Sequence, residues 1–198
     1  MGNFLIIFNE IAYLVLQHPE ELPVSLKKIP KLRPYIIAAL VFSGLCVGTG
    51  LYLLRTNYNL AFIFPVLAVT VVHVVFFLLW GVCLGALVDG LVHRITPDRA
   101  GHMWDMVAIA VFSCIPTAFF LPGAMTAKLL ATPAWLAVPL LIALIVWTQT
   151  IVVRALRYLY ELPLRVALRI YFRSLVILLA FPFFAILFFV LEFAAAAF

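Results

Sequence analysis

The residues with the means to do chemistry crowd between two apolar runs, at Asp89–Asp105, DGLVHRITPDRAGHMWD. By spacing this is Asp89-Gly90-x2-His93-Arg94-x6-Gly101-x3-Asp105. Carboxylates hold Mg²⁺, which polarises phosphoryl oxygens, and an arginine fork fits phosphate. A second set is RALRYLYELPLRVALRIYFR, residues 154–173, with Arg154, Arg157, Arg165, Arg169 and Arg173 and no lysine. Arg165, Arg169 and Arg173 are four apart, so a helix stacks them on one face. Tyr158, Tyr160 and Tyr171 lie among them, and tyrosine suits the headgroup layer of a bilayer. That face is a candidate for docking anionic lipid or a partner protein. The third candidate is His73, alone near the middle of an apolar run. A polar residue at that depth is costly and raises a functional question by default. Thr70, Thr117 and Thr148 are the partners considered for it.

The first set resembles part of the signature of the CDP-alcohol phosphatidyltransferases. The resemblance implies four aspartates around a metal site, with a glycine and an arginine binding nucleotide. Here the preceding aspartate is Ala86, the following one is Ile109, and the alanine before the arginine is His93. Half of the metal-binding charge is missing, so the expectation is a chance match or a degenerate remnant, without catalysis. Asp89, His93, Arg94, Asp98 and Arg99 then read as solvated or headgroup-level charges between two spans, with Thr96-Pro97-Asp98 opening the next helix. Neither a catalytic residue, a metal site nor a cofactor is expected.

The elements that position these groups follow from composition. Of 198 residues 67% are hydrophobic and 11% charged, with mean hydropathy +1.23. That excess of apolar surface needs a bilayer as solvent. The net charge of +5 then reports topology and anionic headgroups. It does not point to nucleic acid, because no basic patch stands on a soluble fold. Cys46, Cys83 and Cys114 lie inside apolar runs and read as packing thiols.

Residues 1–18 form a short apolar segment with Asn3, Glu10 and Gln17 on one narrow polar stripe. It is too short to span, and is read as an amphipathic helix in the interface or packed on the bundle. Pro19, Pro23 and Pro30 break the connector to residue 33, where Lys27, Lys28, Lys31 and Arg33 cluster. Residues 1–33 are thus a cytoplasmic or interfacial segment, and 34–198 a membrane domain. Five spans are expected, at Pro34–Leu54, Phe62–Val88, Trp104–Pro122, Ala134–Val153 and Ser174–Phe193. Eleven Lys and Arg fall on the side of the N-terminus against two, Arg55 and Lys128, on the other. The N-terminus is therefore expected in the cytoplasm and the C-terminus outside. Trp104 and Trp135 sit at span ends. Gly44 and Gly48, and Gly81 and Gly85, are pairs four apart that suit close packing of the first two spans against each other. Pro116, Pro139 and Pro182 invite kinks in the last three.

This layout resembles a short, bacterial-type member of the Yip family, the Ypt/Rab-interacting membrane proteins. The shared features are the His18-Pro19 step, the basic connector and five spans. Pro116 within VAIAVFSCIPTAFFLP, Trp147, and Ala167 before the last span complete them. The resemblance implies an all-α fold, a cytoplasmic N-terminus and a non-catalytic role in shaping or organising membranes. The family's Asp-Leu-Tyr-Gly-Pro element is missing, which leaves Rab binding without its residues. The function expected is a scaffold or subunit in the bacterial inner membrane, organising anionic lipid, a membrane-protein partner or further copies of itself. The alternatives are a small transporter or channel-like protein using His73 and the proline kinks, and a degenerate phosphatidyltransferase-like enzyme.

Overall fold

The computed structural model describes residues 2–29, 31–54, 62–95, 102–130 and 137–196, with side chains followed to Ala180. Arg55, Thr96, Pro97, Asp98, Arg99, Gly101 and Trp135 lie outside the described residues, as do the side chains of Pro182 and Glu192. No strand occurs among the described residues. The helices are α1 (Gly2–Gln17), α2 (Leu22–Leu26), α3 (Arg33–Leu53), α4 (Ile63–Ile95), α5 (Met103–Phe112), α6 (Phe120–Leu129), α7 (Ala137–Leu159) and α8 (Leu164–Ala196). A 3-10 turn, Ile115–Phe119, joins α5 to α6.

Proline sets where these helices start. Pro23, Pro34, Pro65, Pro122 and Pro139 fall within the first three residues of α2, α3, α4, α6 and α7. There a missing N–H has no intrahelical partner to lose. The kink expected at Pro139 is therefore replaced by a helix start. Pro116 does more than kink. It cannot donate to the Phe112 carbonyl, and the expected third span breaks into α5, the 3-10 turn and α6. Two hydroxyls satisfy carbonyls around the break: Ser113 Oγ donates to Ala110 O and Thr117 Oγ1 to Cys114 O, both at 2.6 Å.

Four stretches are long and apolar enough to cross a membrane: Arg33–Leu53, Ile63–Ile95, Met103–Leu129 taken through the turn, and Val138–Leu159. The expected fifth lies within α8, whose side chains are described only in part. Exposure fits a bilayer. On α4 the residues facing outward at helical spacing include Phe64, Val72 and Leu79, 76%, 67% and 62% exposed. Met106–Phe112 of α5 is buried throughout and forms the centre of the bundle. The class is an α-helical membrane protein.

α1 packs on this bundle. Ile11, Leu14 and Val15 point inward and belong to the same core as α5. Phe4 stacks on Tyr35, ring centroids 4.7 Å apart. Asn3, Glu10 and Gln17 face out together.

The glycine pairs contact different neighbours than expected. Gly44 lies against Thr70 and Gly48 against Val66, four forward on α3 for four back on α4, as antiparallel helices require. Gly81 and Gly85, however, do not face α3. They lie against Val111 and Val107 of α5, again antiparallel. The bulk of α5, buried to the centre, needs its own glycine seat on α4, so each pair serves one neighbour. Cys83 is exposed on α4, unlike buried Cys46 and Cys114, and all three are free.

Candidate functional site

The antiparallel order brings the start of α3, the end of α4 and the start of α5 to one end of the bundle. The turn between α7 and α8 joins them there through Tyr160 and Asp89. Most basic residues of the described chain collect at this end, while Lys128 closes α6 at the other.

α4 is 33 residues long, about 50 Å at 1.5 Å per residue, so its last turns run past a hydrocarbon core of about 30 Å. Asp89, His93 and Arg94 therefore stand on helix, not in a loop. Tyr160 Oη donates to Asp89 Oδ1 at 2.7 Å. His93 Nδ1, one turn on, is 2.9 Å from the Asp89 carbonyl and 3.4 Å from its carboxylate. Tyr160 is buried. Burial first, then the hydrogen bond and charge of Asp89 and the charge of Asp105, push its phenol well above the usual tyrosine value. It therefore acts as a donor. Asp105 Oδ2 is buried with no hydrogen-bond partner among the described residues.

Asp89 thus accepts from a buried phenol, which corrects the reading of it as a solvated charge: its side chain is 24% exposed. Tyr160 had no local signal for this role, being 71 residues away. The positions where the phosphatidyltransferase pattern needs further acids differ in their surroundings. Ala86 is exposed on α4, and Ile109 is fully buried in α5. Among the described residues no three His, Cys, Asp or Glu side chains are grouped to hold a metal ion.

The 154–173 stretch is also helix rather than loop. α7 runs to Leu159, Leu162 N–H closes the turn on the Arg157 carbonyl at 2.8 Å, and Glu161 takes a left-handed φ of 50°. α8 begins straight after Pro163. Arg165, Arg169 and Arg173 occupy successive turns of α8, and all three are exposed. None of them forms an ion pair among the described residues. Arg154 is exposed beside a groove between α7 and α8, where Tyr171 Oη donates to Gln149 Oε1. The Arg157 guanidinium lies 5.3 Å from the Tyr158 ring centroid. A second groove of about 560 Å³ separates Leu91 of α4 from α8.

His73 finds a different partner from the threonines considered. Ser43 Oγ lies 3.0 Å from its Nε2 and 3.2 Å from Cys114 Sγ, tying α3 to α4 and to the break after α5. Thr70 and Thr117 bond carbonyls of their own turns, and buried Thr148 Oγ1 has no partner among the described residues. Ser43 adjoins Gly44 on the small-residue face of α3, and that adjacency is the sequence signal for it.

No family model matches the chain, and neither do any curated protein or solved structure.

Proposed function

We propose that this chain is a non-catalytic, five-span membrane protein of the Yip type. In this reading its N-terminus is cytoplasmic, in a bacterial inner membrane, and it organises anionic lipid or a membrane partner at its arginine face. The observation that carries the reading is Arg165, Arg169 and Arg173 on one exposed face of α8, without ion pairs among the described residues. Arginines satisfied within the fold would be structural, whereas these have their forks free for an outside phosphate or carboxylate. The collection of basic residues at one end of the bundle, against Lys128 at the other, supports the orientation. The absence of acids at positions 86 and 109 supports the lack of catalysis.

The test is the triple variant R165Q/R169Q/R173Q, with Arg154 and Arg157 left to hold the topology. Each arginine near an anionic surface contributes about 1 kcal/mol, so lipid affinity should fall by roughly two powers of ten. Native mass spectrometry reads bound lipid, and pull-down reads a partner. Unchanged binding in both would reduce the face to a topology signal and remove the reading.

A further inference from the structure

We propose that the groove between α4 and α8 is a binding site for one anionic glycerophospholipid. Its phosphodiester would lie on Arg169 and Arg173, with an acyl chain against Val176 and Ile177. The inference rests on the reading that the arginine face meets lipid, and makes it a defined site rather than a charged surface.

The groove is lined mostly by apolar surface, with two arginines among its lining residues. Its walls are Leu91 of α4 and Arg169, Phe172, Arg173, Val176 and Ile177 of α8. Both charged residues lie toward the start of α8, beside the end of α4, where the basic ends of the helices gather. Val176 and Ile177 come about one turn further along α8, toward the bilayer centre, and are exposed. A ligand entering from the membrane therefore meets apolar side chains along its tail and two guanidinium forks at its head. Arg169 and Arg173 are one turn apart, close enough to share one phosphate. Neither forms an ion pair among the described residues, so no carboxylate of the described fold competes for them. Two neighbouring guanidiniums repel the ammonium of a zwitterionic headgroup, which selects a headgroup of net negative charge. At about 560 Å³ the groove falls in the range of small-molecule sites and can seat part of a lipid. Arg165 shares the helical face but does not line the groove. The site thus divides the three arginines into two that hold the ligand and one that only attracts it.

The experiment uses the full chain in detergent, titrated with phosphatidylglycerol and followed by native mass spectrometry. Phosphatidylcholine and water-soluble glycerol phosphate are the comparison probes. R169Q/R173Q should bind phosphatidylglycerol roughly 30-fold more weakly, at about five-fold per arginine, and R165Q no more than about five-fold. V176W and I177W, tested singly, fill the groove while leaving every arginine in place. Both positions are exposed, so the fold is retained, and each should lose the lipid about as fully as R169Q/R173Q. If the tryptophan variants bind as the parent does while R169Q/R173Q is weakened, lipid adsorbs on the arginines without the groove. The site is then lost and the proposed function stands. If R165Q/R169Q/R173Q also binds phosphatidylglycerol unchanged, and recovers partners unchanged, both fall. Equal affinity for glycerol phosphate, or for phosphatidylcholine, would overturn the assignment to an anionic lipid.

Discussion

Gly48 and Gly90 make a matched pair for testing how closely α3 and α4 approach. Both lie inside helices, so replacing either with alanine gains the same helix propensity, about 1 kcal/mol. Their surroundings differ. A Cβ on Gly48 would sit 2.8 Å from the Val66 carbonyl oxygen and 3.3 Å from Val66 Cα, both backbone atoms of α4. A Cβ on Gly90 would meet nothing within 4 Å. A backbone neighbour cannot rotate away, so in Gly48→Ala the two helices must move apart. Overpacking of this kind costs about 1–3 kcal/mol. Gly90→Ala should therefore be about 1 kcal/mol more stable than the parent, and Gly48→Ala about 0–2 kcal/mol less stable. The propensity gain cancels in the comparison, leaving a gap of about 1–3 kcal/mol from the contact alone. Equilibrium unfolding in mixed micelles, followed by far-UV circular dichroism, measures it. A gap below about 0.5 kcal/mol, the size of an ordinary surface change, would refute the close approach and the antiparallel register built on it.

Tyr160→Phe deletes the hydrogen bond to Asp89 and should cost about 1.5–3 kcal/mol in the same unfolding assay, since the acceptor is a carboxylate. Because the folded-state value of Tyr160 is raised, its contribution is fully present below the unfolded tyrosine value of about 10 and is lost as pH rises above it. The parent-minus-variant difference should therefore hold level from about pH 6 to about pH 9 and shrink in stronger alkali, and a decline already complete by about pH 8 would contradict this. Ser43→Ala strips His73 Nε2 of its 3.0 Å partner and should destabilise by about 0.5–1.5 kcal/mol, whereas Thr126→Ala, on an exposed hydroxyl bonded within its own helix, should be near neutral. A reporter active only in the cytoplasm should work at the N-terminus and in the turn around Glu161 and fail at Phe198; activity at both termini would mean an even number of spans.

Apolar runs bounded by charge announced α3, α4 and α7, because a bilayer demands some 20 apolar residues and little else. The arginine spacing on α8 was equally plain, since i, i+4 stacking is a property of the helix itself. The ends of elements were not. Val88 closes the apolar run, yet the α4 helix continues to Ile95: Asp89–Arg94 can stay helical, and the phenol of Tyr160, in the turn after α7, donates to Asp89. The third span reads as one run because Ser113, Cys114 and Thr117 are small and unremarkable in sequence. Only the hydroxyl bonds of Ser113 and Thr117 around Pro116 explain how a break survives at the centre of the bundle. The partner of His73 depended on how α3 and α4 are aligned, and that register is a property of two helices together. The two glycine pairs carried the information that α4 has two tight neighbours. They did not say which neighbour each pair faces.

α4 is also a keyed shaft. Thr70, which receives Gly44, and Gly81, which receives Val111, are eleven residues apart. At 100° per residue that is three full revolutions plus about 20°, so α3 and α5 grip one side of the same rod, one beyond the other. The phase between the two grips is set by nothing but the number of residues from 71 to 80. Removing one would swing α5 about 100° around the rod relative to α3, turning buried Met106–Phe112 away from the core. Removing seven would restore the phase to within about 20° while drawing the grips some 10 Å closer. Length in this segment can therefore change only in near-whole turns, whatever side chains occupy it.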